Sequence, residues 1–411
     1  MALTKEGIER GNVQETGRAS KLTIDGVSQD YLVYRIRLDE LYFNPQNDRI
    51  ATYVSAHVAG GGSIEPSLAE RASYNDKLAE FIRQSNPEAL KKTRNNIKLF
   101  GQQVPAIVLE DGRLIDGNRR FTCLRDLAKE DEQFNWIEAM ILPMSVASSP
   151  KRVKQLELAI QFGQEGKVEY NPIDRLVGVY NDILKNRLLT PEEYAKCSNI
   201  GIREVNDLIK RARLMSDFLS FCNCPNDYHL ARELEINGTL LEMPRLMKKC
   251  ADDDEAEDLK TAIFANILAG PQSDFNRYIR RFKPILESPA APAFIAHELD
   301  LAADVSDRLE KMEEVTLESI RDEIRADSSL VQRFNAVFDN ASESAKADKV
   351  LSTPVENVES ADSLLDSVDV SLLPRLGDED RSLMARKLKQ ISAHASDLLA
   401  ELGESEGAHE A

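Results

Sequence analysis

Residues Leu114-Ile115-Asp116-Gly117-Asn118-Arg119-Arg120-Phe121 put a short apolar run, a glycine and two adjacent arginines at the head of a helical pattern. This is the outline of an anion site. A helix N-terminus presents unpaired N–H groups and a positive dipole end, glycine lets the main chain approach a ligand, and guanidinium groups grip phosphate bidentately. The same residues also suit a turn whose arginines satisfy neighbouring carboxylates, and local chemistry leaves both arrangements open.

A second group of chemistry-bearing residues lies between Leu189 and Leu214. Thr190 is a cap residue, Pro191 suits the first helical position, and Glu192 and Glu193 favour the dipole of a first turn. Asn199-Ile200-Gly201 can supply a tight turn, after which Val205, Leu208 and Ile209 mark the apolar face of a second helix. Two short helices joined this way make a helix-turn-helix. Arg203, Asn206, Lys210, Arg211 and Arg213 fall on the other face; Arg and Asn can pair with base edges, and Lys and Arg reach phosphate. Lys185 to Arg213 holds seven Lys and Arg against four Asp and Glu, a local basic surplus. An ordinary helical hairpin with a solvated face would carry the same pattern. The run Phe275 to Lys283 is also basic and suits either an extension of the DNA-contact surface or an amphipathic helix with Phe275, Ile279 and Phe282 inward.

Periodicity and breakers then locate the elements that would hold these residues. Residues 1–20 are polar and aperiodic and read as a mobile arm. Residues 21–150 read as an α+β domain, with a strand at Tyr31 to Ile36, helices around Lys77 to Ile82 and Leu90 to Leu99, strands Ala106-Ile107-Val108-Leu109 and Leu114-Ile115 joined through Asp111-Gly112, and a helix from Phe121 to Lys129. Residues 151–287 read as all-α, broken at Pro172, Pro191, Pro225, Pro244, Pro271 and Pro284, with the helix-turn-helix at about 189–214. A helical region is expected at 288–340, and 341–375 is an acidic stretch too poor in apolar surface to offset chain entropy, so it reads as a disordered linker. In 376–403, Met384, Leu388, Ile391, Ala395, Leu398 and Leu402 form a heptad seam suited either to self-association or to folding back on the core.

Bulk composition narrows the class. The 411 residues carry 70 acidic against 52 basic side chains, a net charge of −18, so any contact with nucleic acid must use a local basic face. No apolar leader opens the chain and no eighteen apolar residues run together, which predicts a cytoplasmic protein with no membrane contact. The five cysteines, Cys123, Cys197, Cys222, Cys224 and Cys250, suggest no disulfide framework, and with His229 they match no usual zinc spacing, so no metal centre is expected.

Three boxes in order resemble the ParB family. The turn reads Gly117-Asn118-Arg119-Arg120 where the family has GERR; Leu38 to Arg49 (LDELYFNPQNDR) resembles its opening box; and Gly101-Gln102-Gln103-Val104-Pro105-Ala106-Ile107-Val108 resembles its glycine loop and P-I-V strand. Tyr170 to Arg175 resembles the family's LNPIEE segment, whereas Ile160 to Lys167 departs from its ENxQR-type box. Leu189 to Leu214 resembles its LSxEELAxxLGxSxxxVxNLLRLLxL segment without a gap. The resemblance covers roughly residues 30–220. It implies a ParB/sulfiredoxin-like N-terminal domain followed by an all-α helix-turn-helix domain, with CTP or another NTP, accompanied by Mg²⁺, held by Gly117, Asn118, Arg119, Arg120, Gly101, Gln103 and Arg49. It implies double-stranded DNA read by Thr190, Gly201, Ile202, Arg203, Asn206, Lys210 and Arg211, a homodimer, a ParA-like ATPase as partner, and a nucleoid- or plasmid-associated role in partition or regulation.

Two other readings stay open. LIDGNRRFTCL also resembles the LIDGQQRLTTL segment of GmrS-like restriction proteins, which would make the chain an NTP-dependent nuclease, although no paired acidic-lysine motif is visible. A transcriptional regulator that binds no nucleotide is the third. Asn118 in place of the family's glutamate makes nucleotide binding the firmer expectation and hydrolysis the lesser one.

Overall fold

The computed structural model describes residues 3–24, 27–65, 70–144, 149–162 and 171–403. Two compact units emerge, Met1–Ala345 and Lys346–Ala411. The first begins with helix α1 (Leu3–Glu9) and a five-stranded mixed sheet: β1 (Val13–Ile24), β2 (Val27–Arg37), β3 (Ala106–Leu109), β4 (Leu114–Asp116) and β5 (Trp136–Leu142). The order is β1-β2-β5-β3-β4, antiparallel throughout except for the parallel pair β3/β5.

β3 is buried on both faces, which is why it reads as an unbroken apolar run rather than an alternating one. Ala106 and Val108 pack with α3 (Arg71–Ser85), α4 (Pro87–Phe100) and α5 (Asn118–Ala128) through Leu78, Ile97, Phe121 and Leu124. Ile107 and Leu109 face the other way, onto Val153, Leu156 and Ile160 of α6 (Pro150–Phe162). A helix α2 (Ala51–Ala59) follows the opening box.

Beyond α6 the unit is helical. Helices α7 (Pro172–Val179), α8 (Pro191–Ser198), α9 (Ile202–Phe221), α10 (Tyr228–Glu233), α11 (Asn237–Met247), α12 (Asp253–Ala269), α13 (Phe275–Arg280), α14 (Phe282–Leu286), α15 (Ala291–Leu309), α16 (Leu317–Ile320) and α17 (Ser328–Asp366) follow in order. One apolar core runs from Leu158 to Ala345. The second unit contains α18 (Asp378–Glu401), and no described residue beyond 345 is buried.

Three sequence expectations need correction. Residues 3–20 of the expected arm lie largely in α1 and β1: the Leu3 and Thr4 amides donate to the Glu110 carbonyl and carboxylate, at 2.8 and 2.9 Å, and β1 pairs with β2 along most of its length. Its sequence looked aperiodic because, as an edge strand, β1 places few side chains in the core; Val13 and Leu22 are buried. The expected disordered linker at 341–375 is helical through Asp366, then forms a 3₁₀ turn at Val370–Arg375. Phe334, Phe338, Ala341 and Ala345, spaced four and three apart, bury the first half of α17, and the helix continues largely exposed through Pro354 to Asp366. Pro244, expected as a break, lies inside α11. Pro284 likewise falls within α14; the break lies at Arg281, between α13 and α14.

Candidate functional site: an arginine-lined cleft and a basic helix pair

The β3-β4 hairpin delivers its chain to α5 through Gly117, whose φ of 100° only glycine adopts readily. A Cβ there would lie 2.8 Å from the Ala106 Cβ, so the glycine also permits β3 to pass close by. No side chain caps α5, leaving its first-turn amides without intrahelical acceptors. Arg119 and Arg120 follow at once. Arg120 Nη2 donates to Asp116 Oδ2 at 3.0 Å and lies 3.4 Å from the Pro105 carbonyl, while its Nε and the Asn118 Oδ1 are buried without a hydrogen-bond partner.

Arg49 converges on the same place from the opening box. The Asn47 side chain accepts from the Arg49 amide at 3.1 Å and caps a 3₁₀ turn, Asp48–Ile50, which aims Arg49 at the head of α5. Burial holds the Arg119 guanidinium below its usual pKa, and the like charges of Arg49 and Arg120 push in the same direction. An anion among the three would relieve that repulsion.

These groups line a cleft of about 510 Å³. It gathers Arg49, Gln103, Gly117, Asn118, Arg119 and Arg120 from the sequence-derived set; Gly101 stands beside it, ending α4 at φ 71°. Lys92, Thr93 and Asn96 of α4, Asn47, and Gln161 of α6 complete the wall. Sequence reasoning missed all five. The α4 trio had a signal, since positions 92, 93 and 96 share a helix face. Gln161 had none, because α6 reaches the cleft by packing on the far face of the sheet. Four cations line the cleft against one described carboxylate, Asp116. Gln102 braces the rim, donating to the Glu138 carbonyl at 2.7 Å and accepting from its amide at 2.8 Å. Most of the expected Ile160 to Lys167 box, together with Tyr170, lies outside the described residues.

Behind the cleft, a buried ionic cluster fastens the opening box to the helical region. Lys154 Nζ lies 2.9 Å from Asp48, 3.3 Å from Asp182 and 3.7 Å from Glu157. Glu157 also accepts from Asn44 at 3.3 Å and from Gln161 at 3.0 Å. The π-helical turn Tyr180–Lys185 after α7 carries Asp182 into the cluster. A Cβ on Gly178 would lie 2.8 Å from the Asp48 carboxylate, so α7 packs tightly against the box. A second buried pair, Arg232 to Asp174 at 2.9 Å with Thr52 donating to Asp174 at 2.8 Å, repeats the fastening on α2.

The helix pair α8 and α9 forms as its sequence implies. Thr190 and Glu193 make a reciprocal capping box, with main-chain to side-chain distances of 3.2 and 2.9 Å, and Asn199 turns the chain at φ 52°. Lys151 of α6 reaches Glu193 at 2.6 Å and holds that carboxyl below its usual range. Val205, Leu208, Ala212 and Met215 bury one side of α9, leaving Arg203, Asn206, Lys210 and Arg213 exposed. Ile202 and Gly201 are exposed at its start. Arg211, expected on that open face, is half-buried: it leans on Asn237 at 3.4 Å, and burial together with Arg175 holds its pKa down. Position 211 follows Leu208 by three, at the edge of the inward stripe. In the 275–283 run Ile279 and Phe282 are buried and Phe275 is half-buried, with Arg277, Arg280, Arg281 and Lys283 outward.

Among the described residues, no group of three or more His, Cys, Asp or Glu could hold a metal, and no helix is long and apolar enough to cross a membrane. No protein-family model matches the chain, and no curated protein matches it. Among solved structures the chain is similar to the C2221 form of a Pnob8-like ParB-N domain, at 11% identity, over 75% of this chain and 98% of that one, with a TM-score of 0.27.

Proposed function

We propose that this chain is a ParB-like DNA-binding protein whose N-terminal cleft takes a nucleotide, CTP or another nucleoside triphosphate. The convergence of Arg49, Arg119 and Arg120 on the uncapped start of α5 carries the reading. The cleft suits a polyphosphate: its volume is in the range of ligand sites, its charge is cationic, and the buried Arg120 Nε has an N–H left for an acceptor. Phe100 and Val104, 67% and 51% exposed at the adjoining loop, offer apolar surface for a base. Mg²⁺ would find only one carboxylate among the described lining residues, Asp116, already bonded to Arg120. The arginines therefore take over much of the charge neutralisation, and the site favours holding a nucleotide over turning it over.

The α8–α9 pair is the DNA-reading helix-turn-helix of this proposal. Arg203, Asn206 and Lys210 form its reading face, and Arg211 steadies the helix rather than reaching DNA. A second copy of the chain, joined through the exposed seam at Leu388, Ile391, Leu398 and Leu402, and a ParA-like ATPase complete the assembly expected in plasmid or chromosome partition. Equilibrium titration of labelled CTP, ATP and GTP tests the cleft. Wild type binds at least one of them, and Arg120→Ala weakens it by roughly 10- to 100-fold, the worth of a charge-assisted pair. Failure of all three to bind would remove the nucleotide from the account.

A further inference from the structure

A second cleft, of about 870 Å³, opens beside the other half of α5, where Arg125, Ala128 and Lys129 face Arg71 of α3, Arg10, and the Leu38–Glu40 turn. Its acids are already occupied. Glu40 accepts from Arg10 at 2.8 Å and from Asn12 at 2.6 Å, and Asp39 is paired with Arg37 at 3.0 Å. Of its cations only Arg10 is matched to a lining carboxylate, Glu40. Arg71 Nη1 donates to two main-chain carbonyls, those of Asp39 at 3.1 Å and Glu40 at 2.7 Å, and Arg71 pairs with no carboxylate among the described residues. Arg125 spends Nη2 on Asp76 at 2.8 Å, but its Nη1 is buried with no partner. Lys129 is exposed and makes no ion pair among the described residues. Arg71 is also the first residue of α3, whose N-cap, Glu70, makes no side-chain cap bond, so the helix's open amides join the same basic surface.

We infer that this cleft is a second anion site, separate from the nucleotide cleft, that takes a small multiply charged anion through Arg71, Arg125 and Lys129. Phosphate and carboxylate groups share the chemistry that two guanidinium forks and an ammonium recognise. The unpaired Arg125 nitrogen and the uncompensated Arg71 are the groups such an anion would satisfy.

The test is calorimetric titration of inorganic pyrophosphate into the full chain carrying Arg119→Ala and Arg120→Ala, which disables the first cleft. Saturable binding near one equivalent is expected, weakened at least tenfold by adding Arg71→Gln and at least fivefold by adding Lys129→Glu. Should Arg71→Gln unsettle the fold, the surface change Lys129→Glu decides alone. Citrate that displaces pyrophosphate assigns the site to carboxylates as well as phosphates, and citrate that does not assigns it to phosphates; either supports the site. Absence of saturable binding in the double variant, or binding indifferent to Lys129→Glu, overturns it.

Discussion

Replacing Lys154 by methionine removes the cation that holds Asp48, Glu157 and Asp182 together at 2.9 to 3.7 Å. All four side chains are buried, with Lys154 at 4% and Glu157 at 1% exposure. Burial disfavours the ammonium, yet Asp48 and then Glu157 and Asp182 outweigh it and hold Lys154 well above its usual pKa. Burial pushes Glu157 and Asp182 up to about 7 against the pull of the same lysine. Taking away one partner of such a cluster leaves uncompensated buried charge and costs about 3–5 kcal/mol. The pH dependence has a fixed sign. Carboxyls whose folded pKa lies above the unfolded value contribute stability at acidic pH that is lost as pH rises through the folded pKa. Without Lys154 those folded values rise further, so the two proteins lose stability in parallel up to about pH 7 and the variant's deficit widens above it, by up to about 1.4 kcal/mol per pH unit for each titrating carboxyl. Urea unfolding of wild type and Lys154→Met at pH 5, 6.5 and 8 measures it, and Asp48→Asn added to Lys154→Met should restore part of the loss at pH 8. Because Asn47 and Arg49 flank Asp48, the variant should also bind nucleotide more weakly. A cost under about 1 kcal/mol at pH 8, or one that grows as pH falls, would refute the reasoning.

Glu298 is fully buried and bonded to Asn266, with no ion pair among the described residues, and burial pushes it to about 8. Its contribution is therefore present at acidic pH and lost between about pH 4.5 and 8, so Glu298→Gln should gain on wild type by about 2–4 kcal/mol across that window in urea unfolding; a pH-independent difference contradicts this. Gly117→Ala forces an alanine to φ 100° against Ala106, which should cost at least about 1–2 kcal/mol and lower nucleotide affinity together; an unchanged melting temperature would show that the turn is not strained.

Much of this arrangement was legible where the signal is local. The β3–turn–β4–α5 unit announces itself by a doubly buried apolar run, a two-residue turn and a glycine before a helix, and α8 by its Thr190-Pro191-Glu192-Glu193 cap. What escaped depends on distant pairing. β1 is polar and owes its strand to β2, and β5 gains its central place by pairing antiparallel with β2 and parallel with β3. Five of the sixteen residues of the cleft wall come from α4 and α6, whose polar residues look like solvated faces until the sheet brings them to Arg119. The helical run through 366 was hidden for a different reason: beyond Ala345 it buries no residue, so no apolar stripe marks it.

The most direct test of the account is equilibrium binding of a random-sequence DNA duplex to wild type and to Arg203→Glu/Lys210→Glu, measured by fluorescence anisotropy at several salt concentrations. Both side chains are exposed on α9 and outside the core, so the variant keeps its fold. Wild type is expected to bind in a salt-dependent way that the double reversal abolishes at moderate salt, since the change removes two cations and adds two repulsive charges at the phosphate surface. Equal affinity and equal salt dependence for the two proteins would contradict it.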